Sequence, residues 1–495
     1  MANFAGTNRR TMDSLKEKTA NSLSWSLLNS GLTQVLNLVI GIFLARLLTP
    51  AEYGIVGVLT IFTLLAGNIQ TCGFAQALIN LKNPTRNDYN SVFWFNVITS
   101  FILYAILFTA APLIARYFHE PRLVAVSRVT FLVFLISSFS IAHIGYMNKR
   151  LMNKETAIIS LTALSVSGIV GVTLALNGWS YWSLAWQQVT YVTVLTLGRY
   201  YYTPWMFSFR IDFGPVKRMF GFSVKILLTN MLNTLSTQVL TFIFGRMFPM
   251  KDVGNYSQAN KWNLMSNALV YATVDQVAQP VLVTAGDERE RRKRVFRKLL
   301  RFASFVSFPA MLGLSLVTHE LILVTIGNEW LEAIPLLQVL CVGGAFIPMH
   351  HAYQHLSISC GRSDIYLWAN ASQIVLMIAS VLVVSHLGIY VMVMSFTIFT
   401  ILWTLVWHFI TRYLLGMKLR ETARDILPYF AVAAVVMVIT GLVTRSVPHL
   451  AALLAVRVVL GAALYGLCMW LLHDEMMQEC VHYVAQRLPS NHTKQ

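Results

Sequence analysis

Charge is what this 495-residue chain has least of: Asp, Glu, Lys and Arg together make up 12% of it, about half the share usual in a soluble domain. Acids are scarcer still, 21 against 38 Lys and Arg. With 56% hydrophobic residues and a mean hydropathy of +0.59, the chain has too little polar material to cover a water-facing surface. The five cysteines are odd in number and lack metal-type spacing. Most lie in or beside apolar spans and read as small buried hydrophobes. A glycine-rich phosphate loop, a His-Glu-x-x-His helix and a nucleophile elbow are all missing. ATP-driven transport on this chain is therefore not expected, and neither a catalytic residue nor a metal site is assigned.

What the chain has in quantity is apolar runs of about 18 residues or more, each long enough to cross a bilayer. Read between charged or Gly/Pro-rich breaks, they predict an all-α polytopic membrane protein with about fourteen transmembrane helices. A formal net charge of +17 is of the kind that binds nucleic acid, but the basic residues lie in short loops between apolar spans. Alternate loops, among them "KNPTRND", "NKRLMNKE" and "GDERERRKRVFRKLLR", hold 28 of the 38 Lys and Arg, and the opposite loops hold six. That bias places the first set, and both termini, in the cytoplasm. No nucleic-acid partner is expected. The basic cluster at 286–301 reads as a topology anchor or a contact to anionic membrane lipids. The N-terminal "TNRRTMDSLKEK" is polar, and the first apolar run is too long for a signal peptide, so no cleaved leader is expected. All opposite-side loops are short, which leaves no room for an outer catalytic domain.

The chain repeats itself at an offset of 200 residues. "LARLLTPAEYG" (44–54) lies over "FGRMFPMKDVG" (244–254), matching Arg46 with Arg246, Glu52 with Asp252 and Gly54 with Gly254. Upstream, Asn29, Ser30, Thr33, Gln34 and Asn37 meet Thr229, Asn230, Asn233, Thr234 and Thr237. Polar residues are the minority in apolar helices, so five polar-on-polar matches carry weight. The expected organisation is a cytoplasmic segment at 1–21, an N-lobe of six helices at 22–210 and a C-lobe of six at 211–415. Two appended helices at 416–475 and a cytoplasmic tail at 476–495 follow. Two parallel six-helix repeats are the architecture of a transporter with a central cavity between its lobes.

Ser26, Asn29, Ser30, Thr33 and Asn37 share one face of the first span. Lys225, Thr229, Asn233 and Ser236 do so on the seventh, with Asn230, Thr234 and Thr237 alongside. Such stripes either hydrogen-bond between helices or line a polar path. Ionisable residues inside spans are costly and point to function. The candidates for substrate contact are Lys261 and Lys225, with Asn29, Thr33, Asn37, Asn230, Asn233 and Thr237. Asp275 is the candidate for Na⁺ or H⁺ coupling, and no other cofactor is expected. Arg46, Glu52, Arg246 and Asp252 read as parts of a hairpin or gate in each lobe. Within each, proline and glycine manage the turn, and Glu52 can pair with Arg46 or cap the next helix. Arg457, in an appended helix, reads as a packing or lipid-facing residue. His351 and His355 share a helix face, as a metal pair would, but a third ligand is missing. No role is assigned to them or to His350.

The opening "LSWSLLNSGLTQVLNLVIGIFLARLLTPAEYGIVGV" resembles that of bacterial polysaccharide flippases, of the colanic-acid-exporter type within the multidrug/oligosaccharidyl-lipid/polysaccharide exporter superfamily. "GFAQALIN", "NKRLMNKE", "GWSYWSLAWQQ", "IGNEWLEAIPLLQVL" and "GRSD" extend the likeness over most of 20–415. "MHHAYQHLSISCGRSD" departs from it, with histidines where the family more often has amides and small residues. The resemblance implies no enzyme but a multi-pass flippase of the bacterial inner membrane. Such a protein would move undecaprenyl-diphosphate-linked oligosaccharide units to the outer leaflet by alternating access. Its partners would be that substrate, membrane lipids and envelope assembly proteins such as a polysaccharide polymerase. A drug or cation antiporter of the same superfamily is the alternative, disfavoured by lysines where a cation site needs acids. An acyltransferase using His350 or His351 is the alternative from another class.

Overall fold

The computed structural model describes residues 2–71, 73–82, 84–204, 207–209, 211–284 and 288–487. The side chains of 2–23, 27, 233, 236, 269, 272, 273, 275–277, 279, 280, 363, 481 and 483–487 are outside that description. Among the described residues every regular element is helical.

In chain order the helices are α1 Ala2–Leu47, α2 Pro50–Thr71, α3 Phe74–Asn80, α4 Arg86–Tyr117, α5 Leu123–Thr130, α6 Leu132–Ser138, α7 Ile141–Lys149, α8 Asn153–Leu176, α9 Trp182–Tyr202 and α10 Gly214–Met247. They continue with α11 Met250–Thr284, α12 Arg289–Thr325, α13 Ala333–Gly344, α14 Ile347–Ser359, α15 Ser363–Val383, α16 Ile389–Leu415, α17 Leu419–Val443, α18 Leu450–Leu471 and α19 Glu475–Arg487.

Ten helical segments among the described residues are long and apolar enough to span a membrane, or twelve if two bent pairs each count as one. Two further helices, α9 and α11, stand where spans were expected. They are long enough by length alone, 21 and 35 residues at about 1.5 Å each. Their polar residues, such as "NYSQANKWN" in α11, hold them below the apolar threshold. The fourth expected span, 123–147, is three helices, α5 to α7, bent by 47°. The second breaks at Gly73, whose φ of 70° ends one helix before α3 begins.

The chain divides into two compact units, Met1–Gly254 and Asn255–Gln495. That division falls inside the stretch expected to form the second lobe, because α10 packs on α2, α3 and α4. In the first unit, α1 lies on α8, α8 on α9, and α4 on α5, α6 and α7. Phe74 and Leu78 of α3, Tyr89 and Phe93 of α4, Tyr146 of α7 and Val216 and Met219 of α10 form one buried cluster. The start of α4 is capped as its sequence signals direct. Thr85 and Asp88 close a capping box at α4, with Asp88 Oδ2 accepting from Thr85 N at 2.7 Å. In the second unit the long α12 is the axis, contacting α13, α14, α17 and α18, with α16 against α13 and α14. Gly416, at φ 67°, ends α16 in the left-handed conformation common after a helix.

Candidate functional site

The two repeated hairpins come together. A methyl group on Gly54 would fall on the Met250 carbonyl, and one on Gly254 would fall on the Pro50 carbonyl. Pro50 and Met250 are themselves equivalent under the 200-residue offset, so the contact is reciprocal, as at a two-fold axis. Close helix crossing over small residues is the usual way membrane helices pack without a hydrophobic drive. Glu52 caps α2: its Oε2 accepts from Thr49 N at 2.6 Å and from Thr49 Oγ1 at 3.0 Å. Its other oxygen accepts from Ser180 Oγ. Of the two roles open to Glu52, the cap is therefore one it fills. Asp252 occupies the matching first turn of α11, half-buried. Arg46 is exposed in the last turn of α1. Arg246 reaches the His119 ring and lies 5.2 Å from the Tyr117 ring centroid.

The stripe on α1 faces away from the apolar side. Asn29, Thr33 and Asn37 are half-buried, while Leu28, Leu32, Val35, Val39 and Phe43 opposite them are exposed. Thr33 Oγ1 donates to Asn29 Oδ1 at 3.3 Å. On α10, Lys225, Thr229, Asn230 and Thr237 are exposed. The side chain of Asn233 lies outside the described residues, as does that of Asp275 on α11. Asn68 of α2, which sequence reasoning passed over, joins the α10 stripe. Its Nδ2 donates to the Asn230 carbonyl at 3.3 Å and to Thr234 Oγ1 at 2.8 Å. There α10 bends by 51°, between Leu232 and Thr237. A side chain that enters the backbone ladder is a known cause of a sharp bend, and the Asn68 amide meets that ladder at the Asn230 carbonyl. The signal that could have found it is an amide inside the otherwise apolar "TLLAGNIQT".

Lys261 is exposed on α11, while Asn255, Gln258, Asn263 and Asn267 along the same helix are buried. Asn255 Nδ2 donates to Glu332 Oε2 at 3.0 Å. Asn263 and Asn267 fit where Gly344 of α13 lacks a side chain. Lys225 sits on α10, in the first unit, so the two lysines lie in different units.

A buried acid was missed. Glu320 on α12 is 5% exposed, and its Oε1 meets Arg457 Nη1 of α18 at 2.7 Å, with Arg457 at 13%. Arg457 also donates to Thr444 Oγ1 at 3.1 Å and the Leu316 carbonyl at 3.4 Å. Arg457 is therefore an ion-pair partner that ties α18 to α12. The basic run at the start of α12 is likewise engaged within the protein. Lys293 meets Glu421 at 2.8 Å, Arg297 and Arg301 clamp the fully buried Asp425 at 2.6 and 2.7 Å, and Lys298 meets Glu479 at 2.6 Å.

His350 is buried with its Nε2 3.0 Å from Thr404 Oγ1, and His351 stacks on Tyr271 at 5.1 Å. Among the described residues, no group of three or more His, Cys, Asp or Glu could hold a metal ion.

A sequence profile for the family described as "Polysaccharide biosynthesis protein" matches residues 43–335. The "Lipopolysaccharide biosynthesis protein WzxC" of Escherichia coli (strain K12) is 24% identical over 430 residues, covering 84% of this chain and 86% of that protein. The "Succinoglycan biosynthesis transport protein ExoT" of Rhizobium meliloti (strain 1021) is 26% identical over 349 residues, 70% of each. Among solved structures, "Lipid II flippase MurJ, inward closed conformation" superposes with a TM-score of 0.72 at 13% identity, covering 91% of this chain and 99% of that one. That likeness is of fold: an all-helical membrane protein.

Proposed function

The chain belongs to the polysaccharide biosynthesis protein family, and from that premise we propose that it is a flippase for surface polysaccharide assembly. It carries undecaprenyl-diphosphate-linked oligosaccharide units from the cytoplasmic to the outer leaflet of a bacterial inner membrane. It is a transporter, not an enzyme. The family match over 43–335 carries this reading, and two relatives' names support it: lipopolysaccharide biosynthesis for one, succinoglycan transport for the other. The physical chemistry agrees. A glycan crossing hydrocarbon needs hydrogen-bond partners along its path, and the stripes Asn29, Thr33, Asn37 and Asn230, Asn233, Thr237 are assigned to it. A diphosphate needs cations, and lysine serves as a point charge; Lys261 and Lys225 are assigned that part. The hairpins with Arg46, Glu52, Arg246 and Asp252 close the path by alternating access. Asp275 couples transport to Na⁺ or H⁺, and a polysaccharide polymerase receives the product.

The test is transport in vesicles. A fluorescent undecaprenyl-diphosphate-linked glycan loaded in one leaflet should become accessible to a membrane-impermeant quencher only when the protein is present. Lys261→Gln with Lys225→Gln should slow that exchange about tenfold or more, the effect of losing one charge contact. Exchange at the wild-type rate with normal protein levels would remove both lysines from the site. No exchange of any polyprenyl-diphosphate glycan would overturn the function itself.

A further inference from the structure

Between α4 and the start of α10, the first unit carries two clefts walled by successive stretches of the same two elements. The first, about 710 Å³, is lined by Arg86, Asn87, Asn90, Ser208, Ile211 and Asp212. The second, about 520 Å³, is lined chiefly by Phe95, Ile98, Ile102, Phe213 and Phe220, with Lys217 among them. Both volumes fall in the range of ligand sites, roughly 300–1,000 Å³. One is polar and one apolar, and Asp212 and Phe213, adjacent in sequence, divide them.

Their common wall is held in place from below. Phe207 stacks on Phe93 with centroids 4.7 Å apart and planes within 8°. Trp94 Nε1 donates to the Ser208 carbonyl at 2.7 Å, and Ser208 N donates to Asn90 Oδ1 at 2.8 Å. Asn87 Nδ2 donates to Asp212 Oδ2 at 2.7 Å, while Asp212 Oδ1 accepts from Gly214 N at 2.8 Å. A wall fixed by stacking and four polar contacts is preorganised, which lowers the entropic cost of binding.

Charge and exposure say what fits. Ile98, Ile102, Phe213 and Phe220 are 41 to 53% exposed, an apolar lining open to the hydrocarbon side. Arg218 is neutralised by Asp88 at 3.2 Å. Lys217, exposed beside it, has no ion-pair partner among the described residues. Both clefts adjoin the basic loops that the charge bias assigns to the cytoplasm. We propose that these paired clefts are a cytoplasmic loading site for a sugar joined through diphosphate to a polyprenyl chain. The sugar occupies the cleft of Asn87, Asn90 and Asp212, the chain lies along Phe95, Ile102 and Phe220, and the diphosphate meets Lys217. An amide and carboxylate lining hydrogen-bonds sugar hydroxyls, and with both Arg86 and Asp212 on its wall the polar cleft is of mixed charge rather than a cationic seat for an anionic phospholipid headgroup. The polar cleft is also the larger of the two, as a glycan headgroup requires. This proposal rests on the flippase reading and gives that reading a point of substrate entry.

The test uses the full-length protein in phosphatidylethanolamine/phosphatidylglycerol vesicles, with benzoylphenylalanine in place of Phe220, and in a control in place of the lipid-facing Leu176. The probe is radiolabelled polyprenyl-diphosphate-linked N-acetylglucosamine. Photolysis should label position 220 and not 176. Unlabelled probe should compete and extra phosphatidylglycerol should not. Lys217→Gln should raise the half-blocking concentration of competitor about tenfold, equivalent to about 1.4 kcal/mol. Asn87→Ala should weaken competition by the sugar-bearing lipid but not by sugar-free polyprenyl diphosphate. Equal competition by phosphatidylglycerol would make this an ordinary lipid groove and overturn the proposal. Unlabelled position 220 in vesicles that still exchange glycan would overturn the loading site while leaving the flippase reading intact.

Discussion

The Glu320–Arg457 pair offers the sharpest test of how the second unit is held together. Both side chains are nearly out of solvent, at 5% and 13% exposure. Removing one partner of such a pair leaves the other charge buried, a loss of about 3–5 kcal/mol. The two losses should be unequal. Without Glu320, Arg457 keeps Thr444 Oγ1 and the Leu316 carbonyl. Without Arg457, Glu320 keeps only His319 at 3.6 Å, and its Oε2 is buried with no hydrogen-bond partner. Arg457→Met should therefore cost more than Glu320→Gln, near the upper end of that range. The pair Glu320→Leu with Arg457→Met should recover most of the loss, because an apolar replacement of both partners is close to neutral. Denaturant unfolding of the purified protein in detergent, followed by tryptophan fluorescence, gives all four corners of the double-mutant cycle. Single variants within about 1 kcal/mol of wild type would place the pair in the weak, surface class and refute the argument. A double variant that loses the sum of the two would refute it equally.

Three other outcomes are expected. Gly54→Ala and Gly254→Ala should each sharply lower the yield of folded protein, measured by fluorescence size-exclusion chromatography, whereas Gly31→Ala, with open space around it, should not. Asn68→Leu should free the Asn230 carbonyl and straighten α10; spin-label distances across Leu232 and Thr237 should lengthen, and unchanged distances would refute the ladder explanation. Asp425→Asn should weaken three charge-assisted bonds to Arg297 and Arg301 and destabilise the α12–α17 contact by about 3 kcal/mol; a change below about 1 kcal/mol would show that solvent screens the cluster.

The helical, multi-pass character of the chain was legible because bilayer thickness imposes a run length that hydropathy reads directly. So was the hairpin repeat, since Arg46, Pro50, Glu52 and Gly54 are unusual among apolar neighbours. What escaped was pairing over distance. Glu320 carries no local signal that it is paired, since it stands beside His319 at the end of an apolar run. Its partner Arg457 lies on α18 at the other end of the unit, where no local window can see it. The basic run at 286–301 looked like a lipid anchor for the same reason: Glu421, Asp425 and Glu479, which engage it, are remote in sequence. Breaks within spans, as at Gly73, follow from φ angles that hydropathy ignores. The polar stripes were visible as periodicities, but only the exposed leucines and valines opposite show which way that of α1 faces.

The reciprocal seat of Gly54 and Gly254 has a genetic consequence. Each glycine is held to its size by a main-chain carbonyl of the opposite hairpin, not by a side chain. Main-chain atoms are the same whatever residue stands at 50 or 250. A substitution at either glycine thus has no suppressor at the position it strikes, and trimming a neighbour's side chain cannot make room. Neither site therefore has a second-site route by which to leave glycine.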